Sequence, residues 1–427
     1  MVVGLAKIAR KKKRKKPMPK FLKGYKVELD PNKCQMTMFR KHFGASRFAF
    51  NYALVKKKEA FDKKTKIPNN IELHRELNKI KGTDELPWAY DCSKTAFQSG
   101  LINCDRAFQN FFSKCKKKTK GKKGFPKFKS KKNEIQSFKL DGSIWLVDDN
   151  HIKLPRIGKI KLKESGYILL DADIKSVTIT SKSGKWFMSC LIENEIKILP
   201  KLNNIIGVDL GIKTLATCSD GTTFENPKAL SKNLKKLKRK QRQLSRKKKG
   251  SNNYKKSKKK LARLHHRIAN IRKDTLHKAT TKIISENQGI VLENLKVSNM
   301  MKNHCLARAI GDVGMFEFRR QLEYKAKWYG REVQFADTFY PSSKTCCKCG
   351  WKNENLTLGD RTFKCEICKN EIDRDLNASI NLKNLYIESS SKINAFGDGS
   401  PVCSESNKHS PSLKKESNGK FTYTLKI

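Results

Sequence analysis

Acid is what this sequence most lacks. Against 94 Lys and Arg stand only 40 Asp and Glu, a net charge of +54, and residues 226–273 hold no acid at all. A compact particle this basic repels itself unless a polyanion neutralises it, so a nucleic-acid partner is expected. An acidic membrane is the weaker alternative, because no stretch joins such charge to a Trp, Phe and Leu insertion face. Also missing is any run of 18 apolar residues, and the start MVVGLAKIARKKKRKKPMPK has no apolar core of a secretory signal. The chain therefore reads as soluble and intracellular, with no membrane partner and no small-molecule substrate. Histidine is scarce, 8 in 427 residues, and none lies near the paired cysteines described below. The 13 cysteines are an odd number in a long chain, and without an export signal they read as reduced thiols rather than a disulfide framework. Cys34, Cys104, Cys190 and Cys218 read as small buried hydrophobes.

What is present falls into blocks. KGYKVELDPNKC reads as a strand closed by a Pro-Asn turn. From about 35 to 118 apolar residues recur at helical spacing, as in Phe97, Leu101, Phe108, Phe111 and Phe112. GKKGFPKFKSKK is a loop by its Gly, Pro and Lys content. Then come short runs punctuated by turns, SIWLV, HIKLP, KIKLK, YILLDADI and SVTITSKSGKWFMSCLI, all expected as strands, with KSGKW as a hairpin turn. The strand near Lys26 is expected to join them in one barrel. NNIIGVDLGIKTLATCSDGTTFEN predicts three strands, and the basic stretch after it predicts a helical hairpin broken at KKKGSNNYKK. GIVLENL, FEFRRQLEYKAKWYG and REVQFADT predict strand, helix and strand, the alternation of a helix-covered sheet.

Cys346, Cys349, Cys365 and Cys368 form C-x2-C-x15-C-x2-C, a zinc spacing in which two tight turns each bring a pair of thiolates to one ion. An all-sulfur shell is closed and therefore structural. An iron-sulfur cluster is the weaker alternative, and Cys347, inside the first turn, is a competing ligand. Three acids stand at strand ends or a helix start: Asp209 after IIGV, Glu293 after IVL, and Asp375 before LNASINLKNLY. Each alone reads as a turn former or cap. Together, in a chain that must hold polyphosphate, they suit hard Mg²⁺, which takes carboxylate and phosphate oxygens. Asp373 competes with Asp375, since on an extended approach the two share a face.

IIGVDLGIKTLA, IVLENL, YPSSKTCCKCG and DRDLNASINL, preceded in order by YKVELDPNKCQ, LPWAYD, FPKFKSKK and IKLPRIGKIKL, resemble the successive blocks of TnpB, the RNA-guided nuclease family of insertion sequences related to type V CRISPR effectors. The likeness spans roughly residues 24–388. It implies an α+β multidomain fold: an oligonucleotide-binding-like β-barrel (the wedge) with a helical insertion, then an RNase H-like RuvC α/β domain with an inserted zinc ribbon. The expected divisions are a basic disordered tail (1–20), the first barrel strand (21–34), a helical recognition unit (35–118), the rest of the barrel (119–200), RuvC (201–340), the zinc ribbon (341–371), a last RuvC segment (372–388) and a disordered tail (389–427).

The resemblance assigns Asp209, Glu293 and Asp375, whose D-x-N-A match selects it over Asp373, as catalytic Mg²⁺ ligands, with structural Zn²⁺ on the four cysteines. It implies an endonuclease directed by a guide RNA against target DNA carrying a short flanking duplex motif. Lys94 and Gln98 are candidates for that flanking duplex. Lys127, Lys129, Arg246, Lys247 and Lys248 are candidates for RNA phosphates. A compact type V CRISPR effector is the runner-up, and a catalytically silent RNA-guided repressor is disfavoured because all three carboxylates are present. A strand-joining transposase would need a recombination chemistry of its own. The expected location is the bacterial or archaeal cytoplasm, at the nucleoid, with ARKKKRKK read as an RNA-binding arm in preference to a nuclear-targeting run.

Overall fold

The computed structural model of the protein describes residues 20–81, 83, 86–117, 124–132, 136–195, 198–357 and 359–395. The expected tails 1–20 and 389–427 lie almost wholly outside these residues. Strand β1 (Lys20–Asp30) ends in the Pro31-Asn32 turn, which also starts a helix. Asn32 accepts from the Gln35 N–H at 2.8 Å, and the Gln35 side chain accepts from the Asn32 N–H at 3.0 Å. This reciprocal capping box satisfies two donors that a helix start leaves orphaned. Helices α1 (Lys33–Asp62), α2 (Asn70–Ile80) and α3 (Lys94–Lys116) follow, with a 3-10 turn at Pro87–Asp91. They pack through Phe39, Phe50 and Leu54 of α1, Leu73 and Leu77 of α2, and Phe97 and Leu101 of α3.

The next strands are β2 (Gln136–Asp141), β3 (Trp145–Asp148), β4 (His151–Leu154), β5 (Gly158–Leu162), β6 (Ile174–Lys182) and β7 (Lys185–Glu195). They form an antiparallel sheet in the order β2-β6-β7-β1-β5-β4-β3. The first strand does join the later ones, entering at the centre, with the helical unit inserted after it. Ser183 and Gly184 have φ of 57° and 72°, and Lys182 pairs with Lys185. Two positive φ values in a two-residue loop are the type I′ turn that the KSGKW sequence predicts.

Two expectations here are corrected. YILLDADI is not a strand: Leu169 and Leu170 are exposed, and regular pairing begins only at Ile174. Its apolar residues have no alternating partner face, so composition misleads. Conversely, β2 is a strand in a lysine-rich stretch for which no strand is expected, with Phe138 and Leu140 alternating inward and buried. Phe138 meets Phe39 and Phe43 across the α1 interface, with ring centroids 6.1 and 5.3 Å apart.

The second half begins with β8 (Ile205–Asp209), β9 (Thr214–Cys218) and β10 (Thr223–Glu225), then α4 (Ala229–Ser245) and α5 (Asn252–Glu286). It continues with β11 (Gly289–Leu292), α6 (Val297–Met300), α7 (Ala307–Val313), α8 (Met315–Tyr329), β12 (Glu332–Phe335), β13 (Thr362–Lys364), β14 (Glu371–Asp373) and α9 (Arg374–Ala395). Helix α9 thus runs beyond residue 388. The sheet order is β10-β9-β8-β11-β12, with β8, β11 and β12 parallel. Alternation sorts the central strands between two cores. Ile206, Val208, Ile290 and Leu292 pack with Leu276 and Ile283 of α5 and Phe318 and Leu322 of α8, whereas Val291 packs with Leu382 of α9. Parallel strands buried on both faces are what the unbroken apolar run IVL requires.

Helices α4 and α5 form the expected hairpin, closed by Leu237, Leu264 and Ile268. The N-terminus of α4 has no cap of its own. Buried Asp312 of α7 supplies one, accepting from the Leu230 N–H at 2.9 Å and the Ser231 N–H at 3.2 Å. Buried Lys325 of α8 donates to the His277 carbonyl at 3.0 Å and to the Thr280 and Thr281 hydroxyls at 2.7 Å each. None of the three acceptors is a carboxylate, and burial lowers its amine to about 8.

Candidate active site and metal centre

Strand register brings two of the acids together. Val208 pairs with Leu292 in the parallel ladder, so the following residues, Asp209 and Glu293, stand at the same edge of the sheet on neighbouring strands. The third acid arrives on α9, whose first turn contains Asp375. Helix and strand meet closely because residue 207 is glycine: a β-carbon there would lie 2.0 Å from the Ser379 carbonyl oxygen and 2.6 Å from the Lys383 nitrogen.

The electrostatics record this proximity. Burial, then the Glu293 and Asp375 carboxylates, push the Asp209 carboxyl well above its ordinary range, against the opposing pull of Arg374 and a hydrogen bond from the Leu210 backbone. Burial also raises Glu293, with Asp375 adding to it and a hydrogen bond from Ser342 opposing. The three groups are close enough to repel. Their oxygens nevertheless stand wider apart than the donors of a compact site: among the described residues only the four cysteines bring every ligand atom within 4.8 Å of the others.

Asp373 and Asp375 differ in what they bond. β14 ends at Asp373 and α9 begins at the next residue, so alternation does not carry through to Asp375. The Asp373 Oδ1 accepts from the Asp375 N–H at 2.9 Å and the Leu376 N–H at 3.1 Å, an N-cap. Both aspartates line a cleft of about 230 Å³ together with Lys213, Thr217 and Arg361, and Asp375, free of the capping role, faces Arg374 at 3.4 Å.

A set of contacts that sequence reasoning missed ties the cysteine segment to this helix. Ser342 donates to Glu293 at 2.5 Å. Buried Asn381 of α9 donates to the carbonyls of Ser342 at 2.7 Å and Thr345 at 2.6 Å. Buried Asn377 donates to Thr345 at 2.7 Å and accepts from the Cys347 N–H at 3.0 Å. These residues lie in the quoted motifs YPSSK and LNASINL, but partners 30 or more positions apart leave no local sequence trace.

The thiols of Cys346 and Cys368 are 3.6 Å apart, and those of Cys349 and Cys365 are 3.5 Å apart. A tetrahedral zinc with Zn–S of about 2.3 Å needs sulfur edges of about 3.8 Å, so the donor set fits that ion. Cys347 is not part of it: its sulfur faces the Asn370 amide at 3.9 Å, which removes it as a competing ligand. Phe363 is buried behind the thiols, and the β13–β14 hairpin carries the second cysteine pair toward Asp373.

Of the nucleic-acid candidates, Lys94 and Gln98 lie exposed on the first turns of α3, and Arg246, Lys247 and Lys248 are exposed between α4 and α5. Lys127 is exposed as well. Lys129 is half-buried instead, its ammonium 4.0 Å from the Phe50 ring centroid and its backbone bonded to the Asn51 side chain. Burial lowers its amine.

Residues 189–304 match a family model described as "Probable transposase", residues 316–382 one described as "Cas12f1-like, TNB domain", and residues 18–66 one described as "Helix-turn-helix domain". The described residues of that last span form the strand β1 followed by the long helix α1. A Streptomyces pristinaespiralis protein named "Putative RNA-guided DNA endonuclease" is 33% identical over 384 residues, which are 90% of this chain and 92% of that protein. An Escherichia coli K12 protein given the same name, with the suffix InsQ, is 35% identical over 381 residues, 85% of this chain and 92% of its own length. In solved structures, the Cas12f1 protein of a Cas12f1–sgRNA–target DNA complex shares the fold with a TM-score of 0.51 at 15% identity, over 86% of this chain and 99% of that one.

Proposed function

This chain belongs to the family of TnpB-like RNA-guided DNA endonucleases, and from that premise we propose that it is itself a guide-RNA-directed DNA endonuclease working through Asp209, Glu293 and Asp375. The observation that carries the reading is the placing of Asp209 and Glu293 at matched ends of adjacent parallel strands, with Asp375 near enough to raise both. Three mutually repelling carboxylates at one sheet edge are a poor structural device and a good cation site.

Mg²⁺ bound there would supply Lewis-acid activation of water and stabilise the leaving 3′ oxygen of a phosphodiester. The chain's own residues hold and orient. Ser342 fixes one oxygen of Glu293, and the Asp373 cap fixes the helix turn that presents Asp375. Lys213 and Arg361, in the cleft beside Asp375, are placed to meet phosphate charge.

The seven-stranded sheet is read as the wedge barrel and α1–α3 as the recognition unit, with Lys94 and Gln98 toward the flanking duplex. The four cysteines are read as a zinc ribbon whose role is structural, since four sulfurs close the shell. No described helix is long and apolar enough to cross a membrane.

The test is cleavage by purified ribonucleoproteins in Mg²⁺. Asp209→Ala, Glu293→Ala and Asp375→Ala should each abolish cleavage while guide-RNA and target binding survive, and Asp373→Ala should keep measurable cleavage. Full activity in the Asp375 variant, or loss in the Asp373 variant alone, overturns the assignment.

A further inference from the structure

Phe339 is 90% exposed, the most exposed large apolar side chain among the described residues. An apolar side chain on a surface needs no special explanation when it sits on a mobile or remote loop. Phe339 sits on neither. The preceding Ala336 is buried, its N–H donating to the Leu292 carbonyl at 2.8 Å, so the chain there still extends the sheet. The following Tyr340 packs into the core of Val291 and Leu382, its hydroxyl 3.4 Å from the Asn381 carbonyl. Between these anchors a tight turn closes, Tyr340 N–H to Asp337 carbonyl at 3.0 Å, with Phe339 inside it. The ring is thus held outward by neighbours that are themselves fixed.

Its position relative to the carboxylates is equally defined. Three residues onward, Ser342 bonds Glu293. On the other side, Lys296, three residues past Glu293, brings its ammonium within 5.8 Å of the Phe339 ring centroid. The site is therefore flanked by an exposed aromatic ring with a cation over one of its faces, and a ring open on its other side with a lysine at hand is the pair that binds single strands by stacking a base and neutralising a phosphate.

We propose that Phe339 is a stacking platform for an unpaired base of the DNA strand entering the active site, and that Lys296 receives the neighbouring phosphate; this rests on the nuclease reading above. A surface for a second protein is the rival. The lysine and the adjacency to Glu293 favour nucleic acid, since protein interfaces are depleted of lysine.

Two measurements separate the possibilities. In single-turnover cleavage by the guide-loaded protein, Phe339→Ala should lose about 5- to 100-fold in rate with target binding unchanged, Phe339→Trp should stay close to the unmodified protein, and Phe339→Leu should behave like Ala. A leucine variant as active as the original would mean bulk rather than stacking and would overturn the proposal, as would full activity in Phe339→Ala. In an Asp209→Ala background, 2-aminopurine placed in the strand to be cut should be quenched with Phe339 present and brighten with Phe339→Ala. That readout does not need chemistry, so absent cleavage in the unmodified protein sinks the nuclease reading, whereas unchanged fluorescence sinks this one. A change of oligomeric state in Phe339→Ala, seen by size-exclusion chromatography, would assign the ring to a protein contact instead.

Discussion

Gly207 of β8 and Ser379 of α9 touch backbone to backbone, and a single β-carbon at 207 would come within 2.0 Å of the Ser379 carbonyl. The carboxylates depend on that closeness, because α9 carries Asp375 and β8 carries Asp209. Gly207→Ala should therefore push the helix outward, at a cost of about 1–3 kcal/mol in stability. Cleavage should fall by more than about tenfold, a displacement of an ångström being enough for that. Guide-RNA binding, expected around the α4–α5 turn, should hold. Rate, melting and RNA-affinity measurements on the one variant check all three.

Repulsion among the acids gives a stability prediction. At neutral pH the ionised Asp209 is disfavoured by burial and by its two neighbours, so Asp209→Asn should raise the melting temperature of metal-free protein, by about 2–4 °C if roughly 1 kcal/mol is relieved. Millimolar Mg²⁺ should then stabilise the original protein more than the variant. Equal response in both proteins would remove Asp209 from the cation site.

The cysteine segment and helix α9 are coupled through Asn377 and Asn381, each bonded to the Thr345 carbonyl. Cys365→Ser should leave an incomplete thiolate set, release zinc and slacken those bonds. Metal analysis is expected to find about one zinc per chain in the original and markedly less in the variant. Hydrogen exchange at the start of α9 should rise. One zinc in both proteins contradicts the four-sulfur assignment.

Exposed lysines around the α4–α5 turn offer a charge test. Replacing Lys247, Lys248, Lys249, Lys255, Lys256 and Lys260, all exposed, with glutamine should weaken RNA binding. The log–log salt slope should lose about 0.7–0.9 for each phosphate contact removed. An unchanged slope places the RNA elsewhere.

Lys325 predicts a pH effect with a definite sign. Burial lowers its folded-state amine to about 8, below the unfolded value of about 10.4. Between those values the unfolded chain binds the extra proton, so this residue makes stability rise with pH from about 8 to 10.4, and below 8 its cost is constant. Lys325→Met should flatten that rise, as read by denaturant melts across the interval, and should be neutral or stabilising at pH 7.

Legibility in the sequence followed the range of the interaction. The ends of IIGVD and IVLE are local signals, and both acids fall where those strands stop. C-x2-C pairs are local too, and the four thiols meet. What sequence could not supply was anything set by distant partners. Ser342, Asn377 and Asn381 show their roles only once residues far apart in the chain are adjacent in space. Lys129 looked like its exposed neighbours until Phe50 and Asn51 were seen to hold it. YILLDADI failed for the related reason that apolar residues make a strand only where a neighbouring strand waits for them.

The central place of β1 also bears on how the chain is made. Leu29 pairs with Trp186 and Val27 with Met188, so this strand meets β7, its longer partner, only after the whole helical unit and the other strands of the sheet have been synthesised. At about 5–20 residues per second that is a wait on the order of ten to thirty seconds. Leu29 can pair earlier with Leu162 of β5, but Val27 has its register partner only in β7, and both are buried in the finished protein. The lysines interleaved with them at 23 and 26 put positive charge along the strand, the device that disfavours pairing of an uncovered strand with its counterpart on another chain.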